Sequence, residues 1–421
     1  MRFGNSSKDS LPKKKLAQLV QLVQLVQLAQ LVQSAPLAPF PLPMPSQAPI
    51  AVLDRLRFPL AVAVVFIHGF GNPPLCASCV AADPCSPDSL FALLRVLLSR
   101  SLPGFAVPLF FVISGYLFFY RMDGWNWKEY GGKLQRRSRR LLLPYFLWIV
   151  LYALHLSPKT VGGVLMGAKP ISALWLRFRA LGGWHIFWDS HLFGHSSGLL
   201  LSDVYSTGPL LAPLWFVRDL MVLVLFAPLF YQLLKRFRWV PLAVVAACHL
   251  LNVWIPVPGF SSSSTLWFLL GASFSVCDKD LVTVGMRFRK WGGEVALVLL
   301  LPLVWLQATK VGCFDFPKRL LATAYSLAAM AAVVGFVEQG FRKGSLHSRP
   351  FLSKSSFFIY ASHIFLLTPV MRHLSHIGET FPLQVLAYLL TPLATVALCL
   401  ALYFILNRLQ MLLRTHFAKE T

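Results

Sequence analysis

Residues 53–70 read LDRLRFPLAVAVVFIHGF and carry the pattern that decides the fold. Charged residues stand near the start of this stretch, an apolar run follows, and one histidine lies near its end. An apolar helix of about 20 residues crosses the roughly 30 Å hydrocarbon core of a bilayer. The sequence therefore predicts an all-α fold, a polytopic transmembrane bundle of about ten helices. The predicted helices lie at 53–71, 104–120, 141–156, 212–232, 239–256, 263–277, 293–308, 319–337, 355–371 and 382–406.

The overall composition excludes most soluble classes of protein. Of the 421 residues, 56% are hydrophobic and 13% are charged, whereas soluble domains are about 45–50% apolar and about 25% charged. The mean hydropathy is +0.63. These values argue against a water-soluble enzyme, a disordered chain and a disulfide-stapled secreted fold.

The distribution of positive charge predicts the topology. The net charge of +23 would suggest nucleic-acid binding in a soluble protein. Here most of the 39 Lys and Arg residues fall in alternate gaps between the apolar segments, which the positive-inside rule assigns to the cytoplasm. We therefore expect an even number of crossings, both termini in the cytoplasm, and a multi-pass protein of the cell (cytoplasmic) membrane with no nucleic-acid partner.

The chain divides into a tail, a membrane domain and a short C-terminal end. Residues 1–50 combine a repeated Gln-Leu-Val triplet with a Pro-rich stretch, which predicts a disordered cytoplasmic tail. Residues 51–406 form the predicted membrane domain, and 407–421 a C-terminal cytoplasmic tail. Within the outer loop 72–103, the amphipathic run Leu90–Leu102 indicates an interfacial helix.

Arg57 and His68 are the first candidate functional pair. Eleven residues make about three helical turns, so both side chains share one helix face at a spacing of ~16 Å. Arg57 would lie at the cytoplasmic headgroups, while His68 would lie deep in the bilayer, where ionisable groups are costly and usually functional. A neutral imidazole there can act as a base. The alternative is a histidine that only hydrogen-bonds to a neighbouring helix.

Two further motifs have both a functional and a structural interpretation. Ser114-Gly115, in PLFFVISGYLF at 108–118, either allows close helix packing or lets a ligand chain pass near the backbone. A basic cluster precedes Pro144 and is either an orientation signal or a phosphate clamp. That cluster contains Arg136, Arg137, Arg139 and Arg140.

The remaining candidates are polar residues inside apolar segments. Trp215, Arg218 and Asp219 belong to PLWFVRDLMVL at 213–223. Adjacent helical residues point about 100° apart, so Arg218 and Asp219 need not pair with each other. We expect each to find a partner on another helix or in a watery cavity. Tyr360 and His363 lie on nearly one face of the helix predicted at 355–371, and His363 is either packed or catalytic. The histidines around His185 do not have the order of a metal motif, so we expect no metal site.

Taken together, these segments resemble the acyltransferase-3 family of integral membrane O-acyltransferases. The segments LDRLRFPLAVAVVFIHGF, PLFFVISGYLF, RRSRRLLLPYFLW, PLWFVRDLMVL and FFIYASHIFLL occur in that family's order. The resemblance covers about 51–406. It implies that His68 is the family's essential histidine and Arg57 its paired arginine. It also implies that Ser114 and Gly115 form its serine–glycine motif, and that Arg136 with Arg139 or Arg140 forms its basic motif.

The resemblance implies an enzyme that moves an acyl group, commonly acetyl, from cytosolic acyl-CoA to a hydroxyl of a cell-surface carbohydrate or lipid-linked glycan precursor. Acyl-CoA would be a co-substrate, with no permanently bound cofactor. Arg57 and the basic cluster would hold the CoA phosphates, and the pantetheine arm would pass Ser114 and Gly115 toward His68. His68 would act as the base or as a transient acyl carrier. The alternatives are a polysaccharide or lipid transporter, and a transmembrane acyl relay feeding a separate soluble transferase.

Overall fold

The computed structural model describes residues 48–69, 87–189, 208–255, 257–308, 315–345, 350–374 and 380–420. Within these ranges the protein is helical, with no β-strand. The tail predicted at 1–50 lies almost wholly outside the described residues. The C-terminal stretch predicted as a tail, 407–421, continues the last helix as far as Glu420.

Fifteen α-helices make up the described part of the chain. The first five are α1 Ala48–His68, α2 Pro87–Val96, α3 Ala106–Phe119, α4 Trp127–Arg137 and α5 Leu143–His155. The next five are α6 Pro158–Leu165, α7 Ser172–Ala180, α8 Trp215–Leu225, α9 Ala227–Phe237 and α10 Val240–Leu250. The last five are α11 Ser262–Val276, α12 Leu281–Ala308, α13 Asp315–Arg342, α14 Pro350–Leu374 and α15 Phe381–Glu420.

Short π-helical and 3₁₀ segments join some of these helices into longer units. The π-helical segment Leu97–Ser101 and the 3₁₀ segment Leu102–Phe105 connect α2 to α3, and the π-helical segment Ser138–Leu142 connects α4 to α5. π-Helical turns are rare and occur frequently at functional sites. Arg139 and Arg140 lie in the second π-helical segment.

All ten segments predicted from hydropathy are helical, but the count of ten crossings is not confirmed. Four helices of the described chain are long and apolar enough to cross a membrane, and the number rises to six if two bent pairs each count as one span. The helices α5, α10 and α11 have 13, 11 and 15 residues, which at about 1.5 Å per residue is shorter than the hydrocarbon core. The four are Leu90–Phe119, Leu281–Ala308, Asp315–Arg342 and Phe381–Leu412.

The stretch Leu90–Leu102, predicted to be interfacial, belongs to a longer helical unit. This stretch is helical and continues into α3, so that Leu90–Phe119 forms one candidate span. Ser99 and Ser101 are fully buried. The Ser99 hydroxyl hydrogen-bonds to the Phe66 carbonyl and to the Tyr388 hydroxyl, which fixes the segment against α1 and α15. The buried serines thus hold one face of this stretch against other helices, and its interfacial position stays a prediction.

Glycines bring α3 and α11 together at the centre of the bundle. A Cβ at Gly115 would press against the carbonyl oxygen of Phe268, and a Cβ at Gly271 would press against that of Val112, both closer than real Cβ atoms come. Small residues at such crossings let helix backbones approach in membrane proteins. The largest apolar cluster surrounds this crossing and includes residues of α1, α3, α8, α9 and α11.

Gly115→Ala is expected to destabilise the protein by about 1–3 kcal/mol, because the added methyl group must displace helix backbone in a packed core. Thermal unfolding of the purified protein in detergent measures the effect. Gly131→Ala is the matched control, since no atom lies within 4 Å of a Cβ built at Gly131. If both variants unfolded at the wild-type temperature, the α3–α11 crossing would be looser than the structure indicates.

Asp280 ties the C-terminal end of α3 to the start of α12. The Tyr116 hydroxyl donates to Asp280 Oδ1 at 2.9 Å, and the Thr283 hydroxyl and amide donate to Oδ2 at 2.6 and 2.9 Å. Partial burial alone would raise the pKa of this carboxyl, but the hydrogen bonds from Thr283 and Tyr116 hold the pKa below its usual value. The carboxylate therefore caps α12.

The packing of α14 against α1 positions the two histidines singled out from the sequence. Ala61 and Val65 of α1 form a buried cluster with Ile359 and Leu367 of α14 and with Cys399 of α15. The three helices thus meet along one apolar seam. His68 ends α1 at the top of this seam, and His363 lies in the part of α14 that faces it.

Candidate active site

His68 and His363 lie side by side inside the bundle. Their ring centroids are 5.1 Å apart and the ring planes are tilted by 42°. His363 is fully buried, and His68 is partly buried at the end of α1. Each histidine was a candidate in the sequence, but their proximity could not be read from it, because it depends on how α1 packs on α14.

The hydrogen bonds of His363 define its tautomer. Its Nδ1 lies 3.1 Å from the Ile359 carbonyl oxygen and 2.9 Å from the Tyr360 carbonyl oxygen. Because carbonyls only accept, Nδ1 carries the proton, and Nε2 of the neutral ring holds a lone pair. This buried Nε2 has no hydrogen-bond partner among the described residues. Such an atom is available to accept a hydrogen bond from a substrate or a water molecule beside His68.

Aromatic side chains enclose this pair on the side of α3 and α8. The Tyr360 hydroxyl donates to the Pro213 carbonyl, so this candidate residue anchors α14 to the segment before α8. Phe110 and Phe216 contact the Tyr360 ring edge-on, at centroid distances of 6.4 and 5.9 Å. Trp215 contacts a neighbouring ring, Phe111, at 5.9 Å. In the described chain, Tyr360 and Trp215 therefore support the wall around the histidines.

Arg218 and Asp219 form a buried ion pair with each other. Arg218 Nε and Nη2 donate to Asp219 Oδ1 at 3.1 and 2.9 Å, and both residues are buried. Each also reaches another element: Arg218 Nη1 donates to the Trp188 carbonyl at 2.5 Å, and the Ser261 hydroxyl lies 3.4 Å from Asp219 Oδ2. The prediction that adjacent residues, pointing about 100° apart, need not pair was incomplete, because the long arginine side chain bends back to its neighbour.

Arg57 lies near the middle of α1, eleven residues before His68. It is exposed and forms an ion pair with Asp54 at 3.0 Å. Asp54 in turn accepts a 2.6 Å hydrogen bond from the Ser353 hydroxyl of α14. The sequence did not single out Asp54 or Ser353, and the i, i+3 spacing of Asp54 and Arg57 was the signal available for the ion pair.

The basic cluster before Pro144 contributes a second arginine, Arg137, close to Arg57. Arg137 Nη2 donates to the Ser114 carbonyl at 3.1 Å, and its guanidinium lies 5.0 Å from the Phe118 ring centroid. Arg137 is also close enough to Arg57 for the two charges to repel each other. The other three arginines are exposed and form no ion pair with a described acidic residue: Arg136, Arg139 and Arg140.

This arrangement suits a ligand with several negative charges. Guanidinium groups bind phosphate oxygens through paired hydrogen bonds, and the exposed arginines have no acidic partner among the described residues to compete. Ser114 is linked to the cluster through its carbonyl, while Gly115 faces α11. The structure thus gives Gly115 a packing role. Contact of Ser114 or Gly115 with a ligand remains a prediction.

Comparison with known sequences identifies the family of the chain. The family model described as an acyltransferase domain matches residues 50–404. The chain is 24% identical to Succinoglycan biosynthesis protein ExoH of Rhizobium meliloti (strain 1021) over 374 residues, which cover 85% of this chain and 89% of the relative. No solved structure matches. The chain is a multi-pass helical membrane protein that belongs to the acyltransferase-3 family of O-acyltransferases.

Proposed function

We propose that this protein transfers an acyl group from acyl-CoA, bound from the cytoplasm, to a hydroxyl of a cell-surface carbohydrate or lipid-linked glycan precursor, with His68 at the reacting atoms. The observation that carries the proposal is the His68–His363 contact at one end of α1, with an arginine cluster beside Arg57 near the middle of the same helix. Arg57, one of the proposed phosphate-binding groups, and the proton acceptor His68 thus lie on one helix, separated by ~16 Å.

The acyl-CoA donor would bind at the arginine cluster around Arg57. Arg57 and Arg137 would hold phosphate groups at the rim, with the exposed Arg136, Arg139 and Arg140 around them. Arg137 is already oriented by its bond to the Ser114 carbonyl. Pre-oriented groups lose less conformational entropy on binding. The pantetheine arm would then extend along α1 and α3 toward His68.

In the first of two mechanisms His68 acts as a general base. The acceptor hydroxyl gives its proton to the imidazole while its oxygen attacks the thioester carbonyl carbon. The C–S bond then breaks, and the departing thiolate takes up a proton. His363 would hold the reacting groups through its free Nε2 lone pair. General base catalysis of this kind contributes about 10²–10⁴-fold to the rate.

In the second mechanism His68 is a transient acyl carrier. An imidazole nitrogen attacks the thioester carbonyl, CoA leaves as a thiol, and the acceptor oxygen then takes the acyl group from the histidine. This route suits a donor and an acceptor that approach from opposite sides of the membrane. The two mechanisms differ in one observable, an acylated protein intermediate.

The relative's name supports a glycan acceptor. ExoH of Rhizobium meliloti is described as a succinoglycan biosynthesis protein, and a glycan presents many hydroxyl groups. Acetyl is our first expectation for the acyl group. The succinyl prefix in that glycan's name makes succinyl the first alternative.

For the topology we propose ten crossings, both termini in the cytoplasm, and location in the cytoplasmic membrane. Helix formation in all ten predicted segments supports this proposal. Bends of 86° after α5 and 62° between α8 and α9 would shorten some crossings. Irregular helices are tolerated at membrane depth where other helices cover them.

The direct test supplies purified protein in lipid nanodiscs with [¹⁴C]acetyl-CoA or [¹⁴C]succinyl-CoA and an oligosaccharide acceptor. Label on the oligosaccharide, dependent on the protein, is the expected result. Label on the protein alone would instead indicate an acyl relay to a separate transferase. Movement of unmodified saccharide across the bilayer, with no label transferred, would indicate a transporter and overturn the proposal.

A further inference from the structure

The chain that follows α5 has no part in the scheme above. Residues 158–188, which we call the α6–α7 segment, contain α6, α7 and a 3₁₀ turn, Gly183–Phe187. The sequence of this segment has four Lys or Arg residues, three tryptophans, and neither Asp nor Glu. Helices that lie in a membrane interface combine basic residues with Trp, Phe and Leu in this way.

The α6–α7 segment turns sharply away from the axis of α5. α6 lies at 86° to the unit Trp127–His155, which ends with α5. Pro158 begins α6, and a proline has no N–H with which to continue the hydrogen bonds of α5. Since α5 is one of the crossings proposed above, a helix at right angles to it runs parallel to the membrane plane.

Large apolar side chains of this segment have no cover within the described chain. Five of them are each more than half exposed: Met166, Ile171, Trp175, Leu176 and Trp184. Exposed apolar groups of this kind mark protein or membrane interaction surfaces. A sugar ring would stack on the two tryptophans alone, whereas Met166, Ile171 and Leu176 suit the acyl chains of a lipid.

Three cations of the same segment are open to an anionic partner. Lys159, Lys169 and Arg179 are exposed and form no ion pair with a described acidic residue. Trp175 and Arg179 lie one turn apart on α7 and therefore share a helix face. Tryptophan is enriched where acyl chains meet headgroups, and basic side chains are attracted to anionic lipids there.

The opposite side of the segment is fixed to the bundle. Ile186 is fully buried in a cluster with Val64 of α1 and Tyr360 of α14. The Tyr145 hydroxyl of α5 donates to the Phe187 carbonyl. The segment thus packs on the wall around the histidines with one side, and its exposed side chains are left for a partner.

We propose that the α6–α7 segment lies in the membrane interface where α5 ends and binds anionic phospholipid there. Its exposed apolar side chains contact the acyl chains, and Lys159, Lys169 and Arg179 contact the headgroup phosphates. The proposal rests on the crossing proposed for α5 and does not depend on acyl transfer. Lipid contact in a protein without transferase activity would refute the transferase and leave this surface standing.

The first test measures lipid contact of the full chain in phosphatidylcholine nanodiscs. A fluorescent naphthyl amino acid replaces Leu176, and the lipid carries bromine, a fluorescence quencher, near the top of its acyl chains. Because an interfacial helix buries its apolar face about 5–10 Å deep, we expect the emission to fall to about half of its value in unbrominated lipid. The same probe at the exposed Lys343, after the end of α13, should keep its emission.

A second probe position protects the test against a local failure. Met166 is also exposed, at the end of α6, and the probe there should be quenched as at position 176. Thermal unfolding of each labelled protein shows that the bundle is intact. Full emission at both positions in brominated nanodiscs would place the segment in water and overturn the proposal.

The second test asks whether the bound lipid is anionic. Nanodiscs contain equal amounts of phosphatidylcholine and phosphatidylglycerol, with bromine on only one of the two. Bromine on phosphatidylglycerol should quench the probe at position 176 about 2-fold more strongly, because the cations enrich the anionic lipid around them. The triple variant Lys159→Gln/Lys169→Gln/Arg179→Gln should lose this difference.

A control variant loses the same charge elsewhere. Arg287→Gln/Lys290→Gln/Lys343→Gln removes three exposed cations of α12 and the end of α13, and it should keep the preference at position 176. Equal quenching by both lipids in the wild type overturns the proposal, as does a preference that survives in the first triple variant.

A saccharide is the competing occupant of this surface. Cellohexaose, added to the same nanodiscs, should leave the emission at position 176 unchanged. If the sugar shifts the emission while neither brominated lipid quenches it, the exposed rings bind saccharide and the proposal fails.

Discussion

His68→Ala should abolish detectable acyl transfer in a protein that remains folded and inserted. The imidazole is the group proposed to take the proton or the acyl chain, and loss of a general base lowers rates by about 10²–10⁴-fold. We expect no replacement by its neighbour His363, because the two backbone carbonyls at Nδ1 fix that ring in the core, where it cannot move into the place of His68. Initial rates with labelled acyl-CoA, normalised to inserted protein, measure the loss.

Two variants separate chemistry from packing. His68→Gln keeps a hydrogen-bonding side chain, but the amide accepts no proton near neutral pH. This variant should therefore be as inactive as His68→Ala. His373→Ala is the matched control on α14, because His373 is exposed and its Nδ1 contacts the Pro369 carbonyl. A wild-type rate in a well-folded His68→Ala protein would contradict the assignment of the reacting group.

The positions of the helices were predictable because they depend on local sequence. Each apolar segment is bounded by charged or turn-forming residues, and all ten became helices. The number of crossings was not predictable in the same way. Pro228 is the second residue of α9, just after the bend of the α8–α9 pair, and Pro158 begins α6 after the other bend. Hydropathy alone does not show whether a helix continues straight through a proline or turns aside.

The candidate site was predictable in its composition but only partly in its geometry. The 11-residue spacing placed Arg57 and His68 on one face because that relation lies within one helix. The contact of His68 with His363 joins residues far apart in the chain and depends on the apolar seam between α1 and α14. Nothing in either local pattern specifies which helices pack together.

The basic cluster illustrates a second limit. The sequence analysis gave the four arginines one role, whereas in the structure Arg137 is half-buried against Ser114 and Phe118 and the other three are exposed. Whether an arginine packs or faces solvent depends on the neighbouring helix, here α3. The same dependence explains the Arg218–Asp219 pair, which arises because helices around α8 exclude water and leave each charge with the other as its nearest partner.

That pair gives the largest effect on stability that we expect. Arg218→Met leaves the Asp219 carboxylate with the hydroxyls of Ser261 and Ser264. Asp219→Leu leaves the guanidinium with the Trp188 carbonyl. Removing one member of a buried ion pair costs about 3–5 kcal/mol, because an uncompensated charge remains in a low dielectric. Thermal or denaturant unfolding in detergent measures each loss.

The double variant Arg218→Met/Asp219→Leu should be more stable than either single variant, since it removes both charges and fills the space with apolar side chains. Glu129→Gln is the control, because it breaks the more exposed Glu129–Lys133 pair and should cost no more than about 1 kcal/mol. Additive losses in the double variant would contradict the buried pair. They would mean that water or another group solvates each charge separately, and that the space beside Tyr360 is a wet cavity rather than part of the packed wall around the histidines.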